Sequence, residues 1–188
     1  MTRPAVFLDR DGTLIEEQGY LVRLDRLSLF PGTGNALRLL KDAGFVTVLI
    51  TNQSAVARGL IDEPFLQRVH DEMNARLRPD GGAVDHLYFC PHLHDAPLER
   101  YRQVCDCRKP LPGMIERACR ELDLDVGRSV MVGDRWLDVA CGRAAGTRAV
   151  LVLSGPHKSD APDGVHADAI LNNLMEAVGW ILRSSSRS

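Results

Sequence analysis

Short, wholly apolar runs alternate along the chain with stretches whose apolar positions recur at helical spacing. Ala5 to Leu8, Val46 to Ile50, His86 to Phe89, Val130 to Val132 and Ala149 to Leu153 read as strands. Asn35 to Lys41, Glu63 to Leu77, Pro112 to Leu122 and Leu137 to Ala145 read as helices. Strands that are apolar on both faces and separated by helices predict an α/β sandwich of three layers with a mostly parallel central sheet. The punctuation agrees: Pro31-Gly32 opens one helix, Gly44 closes it, Asp62 is placed to cap the next, and Gly146 follows another. The length of 188 residues suits one domain, over residues 1–182, and the Ser/Arg tail at 183–188 is expected to be disordered.

Composition narrows the partners. With 25 acidic against 23 basic side chains the formal charge is −2, which suggests no polyanion, and aromatics at 5% argue against base-stacking platforms. No run approaches the ~18 apolar residues of a spanning helix, and the N-terminal apolar run is too short for an export signal. Five cysteines, an odd number, read as thiols or ligands rather than disulfides, so a reducing, cytoplasmic setting is expected. The expected partner is a small molecule, with no nucleic acid and no membrane, bound by a monomer.

In open α/β sheets ligands gather beyond the carboxyl ends of the strands. Those ends carry Asp9-Arg10-Asp11-Gly12-Thr13, Thr51-Asn52-Gln53-Ser54, and Gly133-Asp134 with Asp138 four residues on. Any single Asp could merely cap a helix, but carboxylates gathered from separate strand ends would repel one another unless a hard divalent cation joined them, and Mg²⁺ suits such ligands. An Asp carboxylate can then attack phosphorus while a second supplies a proton. Thr51 and Lys109 would hold the transferred phosphoryl group. No dinucleotide fingerprint, GxxxxGK loop or GxSxG elbow is present.

A second cluster consists of Cys90-Pro91-His92 and Cys105-Asp106-Cys107, three thiolates and an imidazole suited to a closed structural Zn²⁺ site. His94 is an alternative to His92. Cys119 and Cys141 lie in helical patterns and read as small buried hydrophobes.

These motifs resemble the haloacid dehalogenase superfamily of Mg²⁺-dependent phosphotransferases, over about Val6 to Gly155. The resemblance implies a Rossmann-like fold with a minimal cap, Asp9 as nucleophile, Asp11 as general acid and then base, and catalytic roles for Thr51 and Lys109. It implies Mg²⁺ on Asp9, Asp11 and Asp134. The zinc loop is similar to a branch containing heptose-bisphosphate and histidinol-phosphate phosphatases, and the twelve residues between His92 and Cys105 fit the heptose members better. That branch implies removal of the 7-phosphate of a heptose 1,7-bisphosphate, a step toward lipopolysaccharide. It also implies substrate contacts from Glu17, Gln18, Gly19, Tyr20, Thr51, Asn52, Gln53, Ser54, Arg108 and Lys109. Arg135 stands where Lys is frequent in the branch. Arg108 could grip a second phosphate bidentately. The rivals are histidinol-phosphate hydrolysis, a receiver-like module that stores phosphate on Asp, and a zinc-dependent interaction module.

Overall fold

The chain is described by a computed structural model over residues 2–156 and 159–185. Six strands, β1 (Arg3–Leu8), β2 (Val46–Asn52), β3 (His86–Cys90), β4 (Leu124–Gly133), β5 (Arg148–Val152) and β6 (Ala169–Leu171), form one sheet. Its order is β3-β2-β1-β4-β5-β6, and every pairing is parallel.

The period of two along β1 decides what covers each face. Val6 and Leu8 point into a core completed by α1 (Thr33–Asp42), α3 (Glu63–Leu77) and α6 (Leu174–Ser185). Ala5 and Phe7 point the other way, onto Met114, Ile115 and Ala118 of α4 (Gly113–Leu122) and Cys141 of α5 (Trp136–Ala145). Both faces are therefore buried, which is why the strand sequences are continuously apolar. The Asp62 carboxylate accepts the Phe65 N–H at 2.7 Å and caps α3 as its spacing predicts.

The structure adds to the sequence reading in four places. β4 begins at Leu124 because Arg3 and Pro4 pair with Leu124 and Asp125 before an irregularity restores register at Val6 and Val130. The one-turn helix α2 (Ser54–Ala57) and the edge strand β6 lie outside the elements that the hydrophobic pattern predicts. So does α6, which buries Leu174, Ala177, Val178 and Ile181 at helical spacing and carries Arg183–Ser185 into its last turn. The disorder expected from residue 183 onward therefore does not hold for those three, and Ser184 Oγ accepts from Arg148 at 2.7 Å. The rest of that expectation, Ser186–Ser188, lies outside the described residues. No described helix is long and apolar enough to cross a membrane.

Chain order runs β1, β2, β3 toward one edge and β4, β5, β6 toward the other, so the reversal lies between β1 and β4. Such a reversal leaves a crevice at the strands' carboxyl ends. Residues 9–32 and 91–112 are two long connections there, each containing one 3-10 turn.

Candidate active site

Asp9 leaves β1 with its N–H donating to the Val132 carbonyl at 3.0 Å, which fixes the ends of β1 and β4 side by side. Lys109 enters from the β3–α4 connection and is almost fully buried. Its ammonium donates to the Ile50 carbonyl at 2.9 Å and lies 2.8 Å from Asp9 Oδ1 and 2.5 Å from Asp138 Oδ1, a buried cation between two carboxylates. Asn52 fixes the lysine's backbone: its Oδ1 accepts the Lys109 N–H at 3.0 Å and its Nδ2 donates to the Lys109 carbonyl at 3.1 Å. Burial alone would depress Lys109, but Asp138 and Asp9 outweigh it and hold the ammonium above its ordinary value. Burial pushes Asp9 up to about 7; Lys109 opposes that rise, while Asp138 and Asp11 add to it.

Asp134 differs from its neighbours. Both its oxygens are buried and meet no protein donor, and burial, then Asp9 and Asp138, push it up to about 7. Asp9, Asp134 and Asp138 each offer an oxygen within 4.8 Å of the others. Gly12, in a left-handed turn at φ 79°, and Gly155 approach Asp134 so closely that a Cβ on either would collide with its carboxylate; Gly133 stands likewise to Asp138. Orphaned, buried carboxylate oxygens beside two further carboxylates fit a hard divalent cation.

The Asp11 carboxylate stands outside this cluster, contrary to its expected place beside Asp9 and Asp134 as a metal ligand. It turns toward Arg10, whose Nε donates to Oδ2 at 3.0 Å and Nη2 to Oδ1 at 2.9 Å. Gln53 Nε2 also donates to Asp11 Oδ2, at 3.1 Å, and to Thr51 Oγ1 at 2.8 Å. The Thr51 oxygen thus accepts from within the protein, leaving its hydroxyl hydrogen free to donate outward.

A cavity of about 430 Å³ opens over these groups, within the range of small-molecule sites. Glu17, Gly19, Tyr20, Thr51, Asn52, Gln53, Ser54, Arg108 and Lys109 line it, and Gln18 does not. Glu17 joins the two sides of its mouth: its Oε1 accepts the Gly19 N–H at 2.7 Å, and its Oε2 lies 3.3 Å from Arg135 Nη2. Arg135, to which the sequence pattern assigns no role, thus ties the turn after β4 to the loop after β1. Arg108 donates to the His92 carbonyl at 3.2 Å, which couples it to the cysteine loop.

In that loop the Cys90 and Cys107 sulfurs are 3.1 Å apart, Cys105 and Cys107 3.3 Å, and Cys90 and Cys105 3.5 Å. His92 Nδ1 lies 3.3 Å from Cys107 Sγ, whereas His94 points outward beside Asp95, so His92 is the nitrogen member. The Cys107 thiol is raised by its hydrogen bond to Cys90 and then by burial, and Cys105 by burial, so the group resists ionising without a cation. Three sulfurs and one imidazole nitrogen at these separations fit one tetrahedral ion. Cys119 and Cys141 lie apart, in the core on the α4–α5 face.

Three features of the site have no counterpart in the sequence reading: the buried Arg10, the Glu17–Arg135 pair, and the Ser154-Gly155 turn, where Ser154 Oγ donates to the Gly12 carbonyl at 2.7 Å. The apolar end of β5 is a signal for the last, since Ser154 directly follows that run.

A family model described as HAD-hydrolase-like matches residues 106–177. The chain is 39% identical over 182 residues to the D-glycero-β-D-manno-heptose-1,7-bisphosphate 7-phosphatase of Haemophilus ducreyi, covering 96% of this chain and 100% of that protein. It is 41% identical over 175 residues to the protein of the same name from Yersinia pestis, covering 92% of each. Among solved structures, the D,D-heptose 1,7-bisphosphate phosphatase of B. bronchiseptica, complexed with magnesium and phosphate, superposes with a TM-score of 0.83 at 32% identity, covering 96% of this chain and 99% of that one.

Proposed function

The chain belongs to the haloacid-dehalogenase-like hydrolases, in the group of D-glycero-β-D-manno-heptose-1,7-bisphosphate 7-phosphatases, and we propose that it removes the 7-phosphate of that sugar bisphosphate. One observation carries the mechanism: Asp9 is ion-paired to a buried lysine beside an Asp134 whose oxygens have no donor, at the floor of a cavity edged by Arg108.

Asp9 attacks the phosphorus of the 7-phosphate, the P–O7 bond breaks, and Asp11 gives its proton to the departing sugar oxygen. Asp11 then takes a proton from water as that water attacks the aspartyl phosphate, the bond to Asp9 breaks, and inorganic phosphate leaves. Lys109 and the Thr51 hydroxyl hold the phosphoryl oxygens while charge redistributes. Asp9 and Asp134 would hold Mg²⁺, with Asp138 behind them; when bound, the ion offsets the negative charge of both carboxylates and phosphate. Asp138 serves chiefly to anchor Lys109 and cap α5, accepting the Arg135 N–H at 3.1 Å.

Cys90, His92, Cys105 and Cys107 would hold Zn²⁺ as a structural ion, fixing the loop that carries Arg108 and Lys109. Arg108 grips the 1-phosphate, and Glu17, Gly19 and Tyr20 close over the sugar. Free thiols and a sugar bisphosphate substrate suit a cytoplasmic, monomeric enzyme in heptose supply to lipopolysaccharide.

The test compares kcat/KM for the two anomers of the heptose bisphosphate and for histidinol phosphate on one Mg²⁺-loaded sample. The β-anomer of the bisphosphate is expected to exceed histidinol phosphate by ~10²-fold or more, the scale of one charge-assisted phosphate grip. Equal values would reject the substrate assignment, and a stable phosphoprotein without phosphate release would favour the receiver-like reading.

A further inference from the structure

Five Asp, Lys and Arg side chains are buried among the described residues: Asp9, Arg10, Lys109, Asp134 and Asp138. Four belong to the proposed chemistry. The fifth, Arg10, occupies the variable position between the two motif aspartates, and it is 2% exposed. A guanidinium cannot shed its charge, so at that depth it requires a carboxylate. It meets Asp11 as a fork, Nε and Nη2 both reaching the carboxylate, with Nη2 2.8 Å from Oδ2 as well as bonded to Oδ1.

Gln53 completes the arrangement. Its Oε1 accepts from Arg10 Nη2 at 3.1 Å while its Nε2 serves both Asp11 Oδ2 and Thr51 Oγ1. The orientation of this amide follows from Arg10, which can only donate, so that the amide oxygen faces Arg10 and Nε2 faces Asp11 and Thr51. Gln53 lines the cavity while its amide bonds within the protein. Behind this group His70 is buried and uncharged, held down to about 3 by burial and then by Arg10, so it adds no second positive charge.

We propose that Arg10 and Gln53 are positioning residues, a clamp that holds the Asp11 carboxylate for its two proton transfers and couples it to the phosphoryl-binding Thr51. Oδ2 takes the bonds from Arg10 Nε and Gln53, which leaves Oδ1 with more of its lone pairs available. Stability alone does not account for such a pair, since apolar residues of equal volume commonly replace buried ion pairs without loss. The clamp instead gives a side chain on a sharp turn, where rotation would otherwise be cheap, one orientation.

The clamp rests on the roles proposed for Asp9 and Asp11, so its test separates the two. Single-turnover transfer from the heptose bisphosphate, with enzyme in excess, is measured for the wild type, Arg10→Lys, Asp11→Asn and the double variant; Gln53→Met and its Asp11→Asn double form a second, independent cycle. Arg10→Lys is expected to slow transfer by ~10²-fold, within the range of acid–base catalysis, and to slow the Asp11→Asn enzyme by less than ~3-fold. Transfer from p-nitrophenyl phosphate, whose leaving group needs no proton, should fall by less than ~5-fold in Arg10→Lys. Additive losses in the cycles, or equal losses on both substrates, would overturn the clamp. Should Arg10→Lys not fold, the Gln53→Met cycle decides on the same criteria, with an expected loss of ~10-fold. If the wild type passes no phosphoryl group to Asp9, the underlying reaction scheme fails instead, whatever the cycles give.

Discussion

The carboxylate centre and the thiol knot solve the same electrostatic problem differently. Each gathers ligand atoms of like character within 4.8 Å of one another. In the first, the chain inserts its own cation: Lys109 sits between Asp9 and Asp138, leaving Asp134 as the member without a donor. In the second, the sulfurs and the imidazole make their short contacts chiefly with one another. A centre containing its own cation can keep its fold when the metal leaves, and can therefore use an exchangeable ion in chemistry. A knot without one depends on its ion for shape. Arg108, adjacent to Lys109 and bonded to the His92 carbonyl, links the two.

Removing the internal cation should have the largest effect. Lys109→Met is expected to destabilise the fold by about 3–5 kcal/mol, because two buried carboxylates lose their partner, and to lower kcat by ~10³-fold. Denaturant titration and kinetics check it, and an unchanged midpoint would mean that Asp9 and Asp138 are satisfied without the lysine. Next in size, Cys107→Ser should abolish bound zinc by elemental analysis and lower kcat/KM roughly 10–100-fold through the displaced Arg108–Lys109 segment. Full activity after complete loss of zinc would separate the knot from the site.

Arg108→Ala should cost the bisphosphate roughly 10-fold more kcat/KM than a small monophosphate. Equal losses would place the second phosphate elsewhere. The smallest effect concerns pH. Asp9 and Asp134 are raised from 3.8 to about 7, so in metal-free protein the stability they contribute is fully present below pH 3.8 and is lost as pH rises through 7. Mg²⁺ competes with protons for those oxygens, so the rise in Tm on adding Mg²⁺ should grow by a few degrees between pH 5 and pH 8. A Tm gain independent of pH would show that the ion binds elsewhere.

Much of this contrast is legible in the amino-acid sequence. Apolar runs that end abruptly in Asp9, Thr51 and Gly133-Asp134 mark strand termini, and a parallel sheet brings such termini to one edge. Other features depend on three-dimensional detail. The direction of the Asp11 carboxylate depends on the turn at Gly12 and on Arg10 being buried, whereas a two-residue spacing alone suggests that it joins Asp9. His92 and His94 are equivalent by spacing, and only the path of the chain out of β3 separates them. The edge strand β6 has three residues, and α6 carries Gly179 in its middle, which weakens the helical signal although its apolar stripe is intact. The Glu17–Arg135 pair joins residues 118 positions apart, beyond the reach of any local pattern.

Covalent transfer to Asp9 is the step on which the proposed chemistry most depends. The decisive measurement is mass spectrometry of peptides from acid-quenched Asp11→Asn enzyme during turnover of p-nitrophenyl phosphate with Mg²⁺, where an activated leaving group permits the first step and the missing base slows the second. A phosphoryl group on Asp9, absent when Asp9→Asn is added, is the predicted result. A phosphoryl group on any other residue, or nitrophenolate release with Asp9 unmodified throughout, would contradict it.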